Sequence, residues 1–275
     1  MAGRSNLQQR VLSAIVLVVA ALLLTWLGGI WYRLLCAAIA AAVLYEWLMM
    51  ILPSEARVHG ALLSALLALV LILMLAGYPV RTQLGALAAT IVVAAAHAAY
   101  ERRGFWPVTG IAYAGGLAIA LAALRGADAA GFAATLFLFA VVWATDILAY
   151  FVGRAIGGPK LAPAISPGKT WSGAIGGTVA GVVAGVLVAL ALGAGAGVAA
   201  LVVVALLLSV LSQIGDLFES RLKRMFSVKD SSQLIPGHGG VMDRVDGLVA
   251  AAVALFVIGV AFVGLERPAH AFFGG

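Results

Sequence analysis

Nine apolar stretches, each about as long as a helix needs to cross a lipid bilayer, divide this chain almost from end to end. They fall near residues 11–27, 31–51, 59–77, 84–100, 106–124, 131–152, 172–193, 196–216 and 247–265. The runs are continuous and lack the alternation of a lipid-facing strand, which excludes a membrane β-barrel. With 64% hydrophobic and only 10% charged residues, the chain also lies outside the range of a soluble domain. The expected fold is therefore all-α: a polytopic integral membrane protein of about nine transmembrane helices. The fourth and fifth stretches are the weakest, diluted by Gly, Ala, His97 and Tyr113, which leaves counts of eight or ten open.

Orientation follows from the cations, because cytoplasmic loops carry the Lys/Arg excess. A cytoplasmic N-terminus puts 13 of the 17 Lys and Arg residues on the inner side and leaves Arg33, Arg81, Arg125 and Arg267 on the other. A wrong number of spans would scramble that bias. No small-residue cleavage site follows the first stretch, so it reads as a retained helix and not as a signal peptide. The net charge of +6 comes mostly from this bias. It points to anionic lipid head groups and away from nucleic acid. The lone Cys36 allows neither an internal disulfide nor a cysteine metal site and reads as core filler.

The first region, residues 1–130, is Ala/Leu-rich and chemically plain, a transmembrane scaffold with the surfaces for oligomer contacts. Residues 131–275 hold five of the six aspartates and form the expected catalytic region of one continuous membrane domain. Three polar elements stand out there. In TDILAYFVGRAIGG, Asp146 lies within an apolar helix, with Tyr150, Gly153 and Arg154 following at roughly helical spacing. An ionisable group there is costly and faces a cavity or a partner. Pairing with Arg154 or Lys169 and a role toward substrate or metal both remain open. SPGKT at 166–170 superficially resembles a phosphate loop, but the required first glycine falls at Pro163 and no strand is expected before it. Lys169 and the free N–H groups opening the seventh helix remain as an anion site.

The third element runs from Gln213 to Gly247 and is the most charged part of the chain. If the eighth helix continues, Asp216, Glu219, Ser220 and Lys223 share one face. Asp243 and Asp246, three apart, share a face at the start of the ninth. Carboxylates from two helices at the membrane boundary suit Mg²⁺, which prefers few carboxylates together with waters and substrate phosphates. Lys223, Arg224, Lys229 and Arg244 complement phosphate oxygens, Arg through a planar fork and Lys as a point charge. The PGHGG turn lets backbone approach a ligand closely, and His238 within it either contacts that ligand or holds the loop. A solvated positive-inside loop accounts for Arg221 but not for the aspartates.

At these residues the chain resembles the phosphatidate cytidylyltransferase, or CDP-diglyceride synthase, family: Ser220-x-x-Lys223-Arg224, Lys229-Asp230, Pro236, His238-Gly239-Gly240 and Asp243-Arg244-x-Asp246 match its signature. The likeness extends to Asp146 with Tyr150 and Gly153-Arg154, to SPGKT, and to Glu46-Trp47 in the second span. One departure is Ser172, where the family commonly has Glu. The resemblance implies transfer of CMP from CTP to phosphatidic acid, giving CDP-diacylglycerol and pyrophosphate for phospholipid synthesis. It implies catalytic roles for Asp216, Lys223, Lys229, Asp243, Arg244 and Asp246, with Asp216, Asp243 and Asp246 on one or two Mg²⁺ ions and room for a monovalent cation. Substrate contacts are then expected at Asp146, Lys169, Ser220, Arg224, Asp230, His238, Gly239 and Gly240. The implied setting is the inner (plasma) membrane with the site facing the cytoplasm, in a homodimer.

Two rivals share parts of this pattern. A secondary transporter of an anionic solute also buries ionisable residues among glycine-broken helices, but no internal repeat is visible and the acidic cluster sits at one membrane face. A CDP-alcohol phosphotransferase needs a DGxxAR-type motif, whereas Asp246-Gly247 is followed by Leu-Val-Ala-Ala. A purely structural scaffold leaves the five late aspartates unexplained.

Overall fold

A computed structural model describes residues 6–52, 57–102, 104–235 and 239–274. The helices are α1 (Asn6–Leu27), α2 (Gly29–Ile51), α3 (Arg57–Leu75), α4 (Val80–Tyr100), α5 (Trp106–Arg125) and α6 (Ala129–Ile156). A short hairpin of β1 (Lys160–Ala162) and β2 (Ser166–Thr170) comes next, then α7 (Trp171–Ala191), α8 (Val198–Met225), α9 (Met242–Val263) and the single turn α10 (His270–Phe273). Among the described residues eight helices are long and apolar enough to cross a membrane, and α1 adds a shorter apolar stretch, Val11–Leu27. The polytopic all-α expectation holds. α8 does continue through the charged stretch, to Met225, and α9 starts at Met242, earlier than its apolar run. The hairpin is a correction: SPGKT forms a strand, with Lys160 opposite Thr170 and Ala162 opposite Ser166, so Lys169 precedes the seventh helix instead of opening it.

The chain folds into two units. The first comprises residues up to Ala122 together with Phe226–Arg244. Trp47 of α2 is buried there, its indole N–H donating to the Trp106 carbonyl at 2.8 Å, its ring 5.2 Å from that of Tyr113. Gly110 makes room for it, since a Cβ there would stand 2.6 Å from the indole. Arg33 donates to the carbonyls of Met74 and Leu75, both at 3.2 Å, placing a cation on the negative end of α3. His59 of α3 and His97 of α4 stack, with their Nδ1 atoms 2.7 Å apart.

The second unit comprises Ala123–Met225 and Val245–Gly275. Its centre is the α6–α7 pair. Gly173, Gly177, Gly181 and Gly185, four residues apart, form the buried stripe of α7. A Cβ on Gly173 or Gly177 would stand 2.6 Å from a backbone carbonyl of α6, that of Ala149 or Thr145. Without a hydrophobic drive between helices in lipid, such close backbone approach supplies the packing. The opposite face of α7 exposes Ile175, Val179, Val183 and Leu187, as a lipid-facing surface should. At the far end of α6, Asp128 caps the helix by accepting the Gly131 N–H at 2.9 Å and receives His270 Nε2 at 2.7 Å. Partial burial raises the Asp128 pKa, but the His270 and Gly131 hydrogen bonds and the charges of His270 and Arg267 outweigh it and hold the carboxyl below its ordinary value.

Candidate active site

In the second unit, α6, the hairpin, α7 and α8 enclose a cavity of about 570 Å³. Asp146, Tyr150 and Arg154 reach it from α6, Lys160, Ser166 and Lys169 from the hairpin, and Gln213 and Asp216 from α8. The hairpin brings two lysines to the cavity: its ladder sets Lys160 opposite Thr170, and the Ser172 hydroxyl donates to the Gly157 carbonyl at its base. Ser172 therefore ties down the strand end at the position where a Glu was anticipated. Thr170 Oγ1 accepts the Gly173 N–H at 3.1 Å, capping α7. Arg154 donates to the Tyr150 hydroxyl at 2.9 Å.

Lys169 and Asp216 form an ion pair on the cavity wall, with the Ser220 hydroxyl 3.4 Å from Asp216 Oδ1. Asp246 lies within reach of the Asp216 and Lys169 charges, and its carboxyl meets that of Glu219. Two glycines permit this meeting of α8 and α9. A Cβ on Gly215 would stand 2.7 Å from the Asp246 carbonyl, and one on Gly247 would stand 3.0 Å from the Ser212 carbonyl. The helices cross with bare backbone at both points, and the residue beside each glycine is an aspartate. Lys223 pairs with Glu219 at 3.3 Å, and Arg224 Nε donates to the Ile165 carbonyl at 3.5 Å.

In the first unit the described parts of the 226–241 segment gather around one carboxylate. Glu46, fully buried in α2, accepts from the Ser231 hydroxyl (3.0 Å), the Ser232 hydroxyl (2.6 Å) and the backbone N–H groups of Val241 (2.8 Å) and Met242 (2.7 Å). Asp243 Oδ2 accepts from the Ser231 N–H at 3.0 Å and the Gly240 N–H at 2.8 Å, and lies 3.0 Å from the Ser231 hydroxyl, whose one proton it shares with Glu46. Gly239 has φ of +78°, a left-handed backbone that glycine adopts freely. Lys229, Asp230 and Arg244 are exposed. His238 lies outside the described residues.

Of the residues singled out from the sequence, the structure thus joins Asp146, Lys169 and Asp216 in one cavity, sets Asp246 and Ser220 beside Asp216, and builds Gly240 and Asp243 into one hydrogen-bonded loop. Lys160 was not singled out, and Ser166 only as a member of SPGKT, because the hairpin that brings both to the cavity has no sequence signal. Glu46 had been singled out only within the Glu46-Trp47 likeness; the four donors that converge on it left no signal in the sequence. Among the described residues no three His, Cys, Asp or Glu side chains gather closely enough to hold a metal ion alone. Asp216 and Asp246 nonetheless fit Mg²⁺: two neighbouring carboxylates that need completing by phosphate oxygens and water are the donor set it favours.

A family model described as "Cytidylyltransferase family" matches residues 8–262. The chain is 48% identical over 269 residues to the phosphatidate cytidylyltransferase of Brucella suis, covering 98% of this chain and 99% of that protein. It is 59% identical over 112 residues to the enzyme of the same name from Pseudomonas aeruginosa, 40% of this chain and 41% of that one. With the Bacillus subtilis enzyme of that name it shares 38% identity over 126 residues, 46% and 47% of the two chains.

Proposed function

The chain belongs to the cytidylyltransferase family, and from that membership we propose that it is a phosphatidate cytidylyltransferase, transferring CMP from CTP to phosphatidic acid to give CDP-diacylglycerol and pyrophosphate. The observation that carries the reading to this chain's own residues is the Lys169–Asp216 ion pair on the wall of a cavity edged by Lys160 and Arg154, with the Asp246 backbone packed against Gly215 beside it. The lipid phosphate attacks the α-phosphorus of CTP, the P–O bond to the β-phosphate breaks, and pyrophosphate leaves. A phosphate monoester is largely ionised at neutral pH, so this attack needs no general base. What it needs is positioning and charge neutralisation.

Asp216 and Asp246 would hold Mg²⁺, which when bound neutralises phosphate oxygens and polarises the phosphorus under attack. Lys169, Lys160 and Arg154 neutralise phosphate charge within the cavity. Lys223 and Arg224 end α8 as further cations, and Lys229 and Arg244 are exposed cations of the kind that meet a triphosphate. Asp243, whose Oδ2 already receives two backbone hydrogen bonds and shares the Ser231 hydroxyl proton, serves as the anchor of its loop more readily than as a metal ligand. The cation bias supports a cytoplasmic site in the plasma membrane, where CTP is available. Nothing in the comparisons favours a transporter.

The test is transfer itself, in mixed micelles with phosphatidic acid, Mg²⁺ and radiolabelled CTP. Label should enter the lipid phase with the native protein and fall on the order of a hundredfold or more with Asp216→Asn or Asp246→Asn, as for loss of one preorganised charge contact. A well-folded native protein that moves no label overturns the reading.

A further inference from the structure

Glu46 sits in an apolar helix and is fully buried, yet four donors converge on its two oxygens. Oε1 accepts from Ser232 and the Val241 N–H, and Oε2 from Ser231 and the Met242 N–H. Each oxygen therefore ties one strand of the loop to the other: a serine from its early part and a backbone amide from its end. The two amides open α9 and lack intrahelical partners, so a carboxylate there also meets the positive end of the helix dipole. Gly240 lets the acid come so near, since a Cβ there would stand 2.7 Å from both Glu46 oxygens. The Ser231 hydroxyl also touches Asp243, which links the clasp to the first turn of α9.

A fully satisfied buried polar network rigidifies what it joins. The segment it joins follows Lys229 and Asp230 and ends at Arg244. We propose that Glu46 is a positioning residue: its buried carboxylate clasps both ends of the 231–242 loop so that the flanking cations Lys229 and Arg244, assigned to the triphosphate in the proposed function, are arranged before CTP arrives. The inference rests on the proposed cytidylyltransfer. Preorganisation of this kind lowers the ordering cost of binding one substrate and leaves the other untouched.

Glu46→Gln is the discriminating variant, because the amide nitrogen brings its own N–H groups against two of the four donors whichever way it is turned. It should raise the KM for CTP about tenfold, the scale of one or two lost hydrogen bonds to a charged group, while the KM for phosphatidic acid stays within about twofold. Hydrogen exchange at the Val241 and Met242 amides should quicken about tenfold or more in the same variant. Ser232→Ala, which removes one donor and keeps the acid, should give a smaller rise in the KM for CTP and remains informative if Glu46→Gln fails to fold. Unchanged amide exchange, an equal rise in both KM values, or a drop in Vmax alone in step with the folded fraction overturns the proposal. A native protein with no transferase activity overturns the proposed function instead, and amide exchange still decides whether the clasp exists.

Discussion

The missing side chain of Gly240 faces the Ser231 hydroxyl and both oxygens of Glu46. Those neighbours are not flexible tips that can swing aside, because each is fixed by hydrogen bonds on its other side. Gly240→Ala should therefore cost about 1–3 kcal/mol, as overpacking does, and lower the melting temperature in detergent by several degrees. Gly116→Ala, with nothing within 4 Å of the new Cβ, should leave it unchanged. Equal melting of the two variants would sink the account of Gly240 as a close-approach position. The sequence displayed Gly239-Gly240 as a loop that could come near a ligand, but the group that comes near Gly240 is an acid from a helix almost two hundred residues earlier. An acid in an apolar span announces that it must be satisfied. It does not announce by whom, because donors 185 to 196 positions away leave no periodic trace.

At the scale of elements, apolar length was enough to find the helices, because a bilayer sets their span. The ends were less legible. α6, α8 and α9 run past their apolar segments since charged residues continue a helix readily once they leave the hydrocarbon, and it is these extensions that hold Arg154, Lys223 and Asp243. The β1–β2 hairpin was invisible: Pro167 and Gly168 are poor strand formers, and only the pairing with Lys160–Ala162 makes them one. The glycines of α7 carry no sequence mark of their partner, which is α6. Gly177→Leu should separate that pair, since its Cβ would lie 2.6 Å from a backbone oxygen that cannot move without its helix. The expected outcome is loss of the monodisperse fraction after detergent extraction. Val179→Leu, on the exposed face of the same helix, should extract like the native protein. A monodisperse, active Gly177→Leu would mean that α6 and α7 tolerate wider spacing than their glycines suggest.

For the whole molecule the sequence offers one long-range signal, the distribution of Lys and Arg. By that distribution the segments around 101–102 and 157–170 are expected on the cation-rich side and the turn at 126–128 on the other, with α5 and α6 as the helices between them. What that signal leaves out is the path of the chain, which enters the first unit, passes to the second, returns to the first for Phe226–Arg244 and leaves again. No spacing rule encodes such a return; the hydrogen bonds to Glu46 do. Sidedness can be read directly, because the sole cysteine, Cys36, is buried. In a Cys36→Ala background, Arg102→Cys and Ala164→Cys place reporters in exposed positions of two loops expected inside, and Ala127→Cys places one in the exposed turn expected outside. A membrane-impermeant maleimide should label Ala127→Cys in intact cells and the other two only in inverted vesicles. The opposite pattern would put the cavity and its lysines on the side without CTP, and a cytidylyltransferase acting on cytoplasmic nucleotide could not be oriented that way.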